Sequence, residues 1–222
     1  MVKKKTVRGT GENPARQVLL RLEREYPEAG TRLKFSNLFE LVVAVLLSAQ
    51  TTDEQVNRVT GELFRRFPTP AAMASASLEE LEEAIKQVGL FRNKAKHLKE
   101  LAIMLCEQYD GQVPDDFDEL LRLPGIGRKS ANVIMAVGWG RPGLGVDTHV
   151  HRVANRLGLV SCQARNQTEL SLKEQIPPEK WAQAHHLFIS HGREVCKSRR
   201  PNCDKCVLQD LCHEYRNNQP KP

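Results

Sequence analysis

Four cysteines near the end of the chain, Cys196, Cys203, Cys206 and Cys212, stand in the order C-x6-C-x2-C-x5-C within 17 residues. Such a set ligates an iron–sulfur cluster or a zinc ion, because both are held by four sulfurs brought together in space. Disulfide pairing is the other option, but short cysteine ladders in chains of intracellular character favour metal over bridges. Zinc sites usually present two short C-x2-4-C knuckles, and here only Cys203 and Cys206 form one. The wider spacing suits a larger cluster.

At 222 residues the chain is long enough to bury a core without disulfides. Its start, MVKKKTVRG, is basic with no apolar stretch behind it, so no secretory signal and an intracellular location are expected. The longest apolar run, Leu41 to Leu47, falls short of the ~20 residues that cross a bilayer and reads as a buried helix. A formal charge of +6 and a pI near 9.1 point to an anionic partner. Lys3 to Lys5, Arg65-Arg66 and Arg199-Arg200 spread that charge along the chain.

The local pattern is helical almost throughout. Asn13-Pro14 forms a cap and first-turn pair ahead of Val18, Leu19 and Leu22, and Pro27 stops the run. Thr52 with Gln55 and Ser77 with Glu80 have capping-box spacing, and Pro68 and Gly89 end the helices that follow. Leu98, Leu101 and Leu105 mark another helix, and Trp181, Ala184, Leu187 and Phe188 a late one entered through Pro177-Pro178. With no alternating strand pattern, the expected fold is all-α with roughly ten helices.

From Phe117 to Val137 the chain reads FDELLRLPGIGRKSANVIMAV. Phe117, Leu120 and Leu121 line one short helix, the Leu123-Pro-Gly-Ile-Gly stretch turns, and Ala131, Ile134 and Val137 line the next: a helix-hairpin-helix. Gly125 and Gly127 let the backbone bend and approach a ligand, and the new helix N-terminus suits a phosphate. Such a contact reads the nucleic-acid backbone rather than base sequence. Lys129, in the first turn of that helix, is either a phosphate-binding lysine or an amine whose pKa is depressed enough to act as a nucleophile. Asp147 is placed to cap the helix carrying Val150, Val153 and Leu157, which Gly158 ends; a carboxylate there can also accept a proton. His149 and His151 read as solvated or packed, Gln50 as a helix-terminal polar residue, and Leu90 as a core leucine.

From about Pro14 to Cys212 the chain resembles the endonuclease III branch of the helix-hairpin-helix DNA glycosylases. The resemblance rests on LLSAQTTDEQVN (46–57), VGLFRNKA (88–95), LPGIGRKSANVI (123–134), VDTHVHRVANRLGL (146–159) and the cysteine ladder. It implies an all-α, two-lobed fold: a six-helix barrel over 31–141, and a discontinuous lobe of 1–30 and 142–222 around a 4Fe-4S cluster held by the loop 196–212. It further implies a monomer that binds double-stranded DNA carrying damaged pyrimidines or abasic sites. The implied activity is base-excision repair by a DNA glycosylase that is also an abasic-site lyase. Lys129 matches the family's Schiff-base lysine and Asp147 its catalytic aspartate. Gln50 and Leu90 match side chains that fill the vacated base stack, Thr51 would tune lesion choice, and Arg199 and Arg200 would reach phosphates. Cys106 and Cys162 lie outside the ladder as ordinary thiols. The rival expectations are a monofunctional mismatch glycosylase, which generally lacks the lysine, and a non-catalytic zinc module that binds DNA.

Overall fold

Asn13 begins the first helix in the way its sequence requires: its side chain accepts the N–H of Ala15 at 2.9 Å, and Pro14 occupies the first helical position, where no N–H is needed. The computed structural model describes residues 13–218, and among them it contains twelve α-helices and no strand. The helix so started, α1 (Pro14–Glu25), buries Val18, Leu19 and Leu22. Next, α2 (Leu38–Leu47) is apolar beyond Glu40 and buries every residue from Leu41 to Leu47.

In α3 (Asp53–Arg66) Thr52 accepts from the N–H of Gln55, but the Gln55 side-chain amide turns to Gln87, 3.2 Å away, so the capping box forms by half. A short α4 (Pro70–Ser75) precedes α5 (Leu78–Ile85), where Ser77 and Glu80 complete the reciprocal box at 3.1 and 2.8 Å. Then come α6 (Phe91–Gln108), α7 (Phe117–Arg122) and α8 (Arg128–Trp139), followed by α9 (Thr148–Leu157) and α10 (Arg165–Lys173). The last two are α11 (Trp181–Glu194), entered through a 3-10 turn at Pro178–Lys180, and α12 (His213–Asn217).

The count exceeds the expected ten because α4, α10 and α12 are weakly patterned. Met73 is the one buried residue of α4. In α10 the buried face includes Thr168 and Glu169, which break the apolar period, and Ala164 supplies no capping side chain.

The described chain divides into two compact units. One comprises residues 30–147 with 178–185; the other comprises 13–29, 148–177 and 186–218. The first has α2 at its centre, packed against α3, α6 and α8, with α4 and α5 lying on α6. Leu98, Leu101 and Leu105 of α6 are fully buried in this core. Each such leucine contributes about 1.5–3 kcal/mol through burial, and truncating Leu41 to alanine would cost about 2–5 kcal/mol because α2 has no solvent face into which to relax.

In the second unit α9 packs against α10 and α12. Val150, Val153 and Ala154 form its fully buried stripe, and Phe188 of α11 is also fully buried. Here α1 is tied down by Arg21, whose guanidinium grips the Asp210 carboxylate with both terminal nitrogens and reaches the Val207 carbonyl at 3.0 Å. That paired contact holds Asp210 below the usual carboxylate range. Among the described residues no helix is long and apolar enough to cross a membrane. Lys3 to Lys5 lie outside the described residues.

Candidate active site and cysteine cavity

The hairpin forms as its sequence demands. Asp116 caps α7 by accepting the N–H groups of Asp118 and Glu119 at 2.9 and 3.1 Å. Leu123 and Ile126 bury the inside of the turn. Its two glycines serve different ends. Gly125 has φ +80, and a Cβ there would lie 2.9 Å from Leu46 Cδ1 and 3.1 Å from His97 Cβ, so the turn packs tightly on α2 and α6. Gly127 is the N-cap of α8 with φ −100, makes no side-chain cap bond, and faces open space. Its missing side chain leaves room for an incoming group at the positive end of the helix.

Lys129 sits one residue into α8 and is partly exposed; Asp147, also partly exposed, immediately precedes α9. The buried side chain of Asn132, one turn along α8 from Lys129, holds the segment that leads to Asp147. Its Oδ1 accepts the N–H of Leu144 at 3.1 Å while its Nδ2 donates to the Arg128 carbonyl at 3.0 Å. The ring of His185 bonds the Gly145 carbonyl at 2.6 Å in the same segment. His149 and His151 both have partners: His149 meets Arg152 at 3.1 Å, and His151 meets Thr168 at 2.7 Å.

Leu90 is not a core residue. It is 58% exposed, with φ +59 at the N-cap of α6, a left-handed backbone that costs a leucine about 1–2 kcal/mol. Gln50 is likewise exposed and left-handed, with φ +55. The two strained loops lie together, since a Cβ on Gly89 would be 3.5 Å from the Gln50 carbonyl oxygen. The reason Leu90 leaves the core is positional: Val88 and Phe91 take the buried places on either side of the turn.

The four ladder cysteines line one cavity of about 120 Å³. Arg156 organises its rim: Nη1 donates to the Lys197 carbonyl at 2.7 Å and lies 3.6 Å from Cys196 Sγ, Nη2 donates to the Ser198 carbonyl, and Nε pairs with Glu214 at 3.1 Å. Arg152, one turn earlier, donates to the Cys196 carbonyl at 3.0 Å. The backbone N–H groups of Leu208 and Tyr215 point at Cys206 and Cys212 sulfurs, at 3.4 and 3.5 Å, as donors to thiolates would.

Burial pushes the Cys206 thiol up to about 11 and also raises Cys203. Burial lowers His191 to about 4, so its ring is neutral between the Tyr26 hydroxyl at 3.2 Å and Cys206 Sγ at 3.5 Å. Among the described residues no three cysteine, histidine or carboxylate side chains converge tightly enough to share one ion. Four sulfurs lining one cavity form a donor set that an iron–sulfur cluster or a zinc ion takes. Arg199 and Arg200 lie exposed on the loop between Cys196 and Cys203, Arg200 with φ +49.

Lys94 Nζ donates to the Leu47 and Ala49 carbonyls and the Thr51 hydroxyl, and with Asn132, Arg152 and Arg156 it carries much of this architecture. Arg152 and Arg156 stand at i and i+4 on α9, a spacing that places both on one face. Nothing local marks Lys94 or Asn132.

A family model for HhH-GPD superfamily base excision DNA repair proteins matches residues 43–178. The chain is 48% identical to endonuclease III of Bacillus subtilis over 192 residues, covering 85% of this chain and 87% of that protein. It is 42% identical to endonuclease III of Escherichia coli K12 over 200 residues, covering 90% and 94%. A solved endonuclease III–DNA covalent intermediate superposes with a TM-score of 0.88 at 43% identity, covering 94% of this chain and 99% of that one. A thermostable thymine-DNA glycosylase, 22% identical with a TM-score of 0.80, shares the fold.

Proposed function

Because the chain belongs to the endonuclease III family of HhH-GPD base-excision repair proteins, we propose that it removes oxidised pyrimidines from duplex DNA and cleaves the resulting abasic site. The chain is a DNA glycosylase and abasic-site lyase. The observation that carries the site assignment is the position of Lys129, one residue into a helix whose N-terminus no side chain caps. An N-terminus that receives a backbone phosphate brings the amine beside the sugar attached to it.

In this reading the damaged nucleotide flips out of the stack, and Gln50 and Leu90 fill the gap, offsetting part of the unstacking cost. The neutral amine of Lys129 attacks C1′ and the bond from C1′ to the base breaks. Asp147 accepts the proton that the lysine must lose and balances the positive charge that develops on the sugar. The C1′–O4′ bond then breaks, with O4′ taking up a proton, and the imine so formed acidifies C2′, where loss of a proton expels the 3′ phosphate. One lysine thus serves both activities.

The cysteine cavity fits a 4Fe-4S cluster, with Cys196, Cys203, Cys206 and Cys212 as ligands. When bound, such a cluster has no open coordination position for Lewis-acid chemistry and acts as a brace. It would hold the loop that presents Arg199 and Arg200 to phosphates. A non-catalytic zinc module gives no account of an amine and a carboxylate at these two positions.

Borohydride tests the chemistry, because it reduces an imine to a stable amine. The wild-type protein on a duplex with one oxidised pyrimidine is expected to give a covalent adduct, and Lys129→Gln to give none while still binding DNA. A normal adduct with Lys129→Gln would overturn the assignment of the nucleophile.

A further inference from the structure

Lys94 is 4% exposed, and among the described residues no carboxylate answers its charge. Its three protons go to three neutral oxygens: the Leu47 carbonyl at 2.9 Å, the Ala49 carbonyl at 2.7 Å and the Thr51 hydroxyl at 2.9 Å. All three lie where α2 ends and the Gln50 loop begins, so two of its partners flank Gln50. The backbone N–H of Lys94 meanwhile donates to the Leu90 carbonyl at 3.1 Å. One residue therefore bonds to both exposed, left-handed loops, from its main chain to one and from its side chain to the other.

A cation suits this place better than a neutral donor. The last carbonyls of α2 carry the negative end of the helix and lack intrahelical partners, so an ammonium satisfies them and is favoured by the dipole. Burial opposes that charge and lowers the Lys94 pKa. A simple cap for α2 would need only the Leu47 carbonyl; the bonds to Ala49 and Thr51 fix the loop beyond it.

We propose that Lys94 is a positioning residue that couples the Gln50 and Leu90 loops, so that the two side chains enter the base stack as one preorganised wedge. This rests on the wedge roles given to Gln50 and Leu90. Without the coupling, ordering both left-handed loops would have to be offset at the moment of flipping, and base release would slow while phosphate contacts stayed intact.

The test compares single-turnover base release on two duplexes, one with the oxidised pyrimidine correctly paired and one with it mispaired, where less unstacking is required. For Lys94→Met the expected result is release slowed on the order of tenfold to hundredfold on the paired duplex, with a smaller deficit on the mispaired one. Affinity for undamaged duplex should stay within about twofold, since backbone contacts dominate it. Thr51→Val should slow release by about threefold, and Thr51→Ser, which restores the hydroxyl, should recover most of that loss.

Equal deficits on both duplexes, or release within about twofold of wild type on the paired one, would overturn the proposal. If Lys94→Met loses its helical circular dichroism, the comparison of Thr51→Val with Thr51→Ser decides by the same criteria. Absence of base release by the wild-type protein would instead overturn the proposed function, so the two failures are distinct.

Discussion

The side-chain oxygen of Asn132 accepts the backbone N–H of Leu144 at 3.1 Å, joining the helix that carries Lys129 to the segment that ends at Asp147. Asn132 is 2% exposed, so no water replaces the bond when the side chain is cut back. Asn132→Ala should cost about 1–3 kcal/mol of stability, the penalty of stranding a buried donor. It should also lower borohydride trapping by on the order of tenfold or more, because the amine and the carboxylate lose their common reference. Single-turnover trapping together with denaturant unfolding checks both. Trapping at the wild-type rate would mean that the bond is structural alone.

The two hairpin glycines should separate folding from binding. Gly125→Ala places a methyl 2.9 Å from Leu46 on a backbone with φ +80, and should destabilise by about 1–3 kcal/mol. Gly127→Ala meets nothing within 4 Å and should leave unfolding almost unchanged. Its methyl stands where a phosphate would approach, so affinity for undamaged duplex should fall by about tenfold. Thermal melts and fluorescence anisotropy on the two variants read out the contrast. Unchanged DNA affinity in Gly127→Ala would place the phosphate elsewhere.

What the sequence discloses is what its own near neighbours decide. Asn13 with Pro14, Ser77 with Glu80, and Gly158 each complete a bond or a turn within a few residues, and each is readable in place. The cysteine ladder is legible for the same reason, since its spacing alone fixes how the sulfurs can gather. Leu90 is different: its exposure depends on Val88 and Phe91 filling the core, and leucine by itself argues for burial. Lys94 is less legible still, because its oxygens come from a segment more than 40 residues away and lysine is ordinarily solvated. The wedge roles proposed for Gln50 and Leu90 rest on resemblance, because strain and exposure are properties of the folded chain.

Gly158 ends α9 at φ +77, and a Cβ there would lie 2.7 Å from His213 Cβ. His213 follows Cys212, so Gly158→Ala should push one of the proposed cluster ligands out of place. The expected outcome is less iron and sulfide per chain and weaker visible absorbance after purification, with stability lowered by about 1–3 kcal/mol. Gly140→Ala is the control, with a similar φ of +62 and nothing within 4 Å. Equal iron content in the two variants would argue against the steric cause.

Burial lowers the Lys94 pKa below the ordinary lysine value. As pH rises toward about 10.4, the unfolded chain keeps this proton while the folded chain has begun to release it. The unfolded state then binds more protons, so this group adds stability with rising pH between its folded value and about 10.4. Lys94→Met lacks the group, so the difference in unfolding free energy, wild type minus variant, should grow as pH climbs through that window. Urea titrations at a series of alkaline pH values measure it. A difference that shrinks with pH would mean that the folded protein holds the ammonium more firmly than water does.

The grip of Arg21 on Asp210 spans 189 residues of sequence, which has a consequence for the order in which the chain takes shape during its synthesis. Residues 30–147 contain the whole core built around α2, and they leave the ribosome while the partners of α1 are still untranslated. At about 5–20 residues per second, α1 waits on the order of 10–40 s for Asp210 to appear. Through that interval α1, with its apolar stripe of Val18, Leu19 and Leu22, lacks the ion pair that ties it down, and needs protection from premature association.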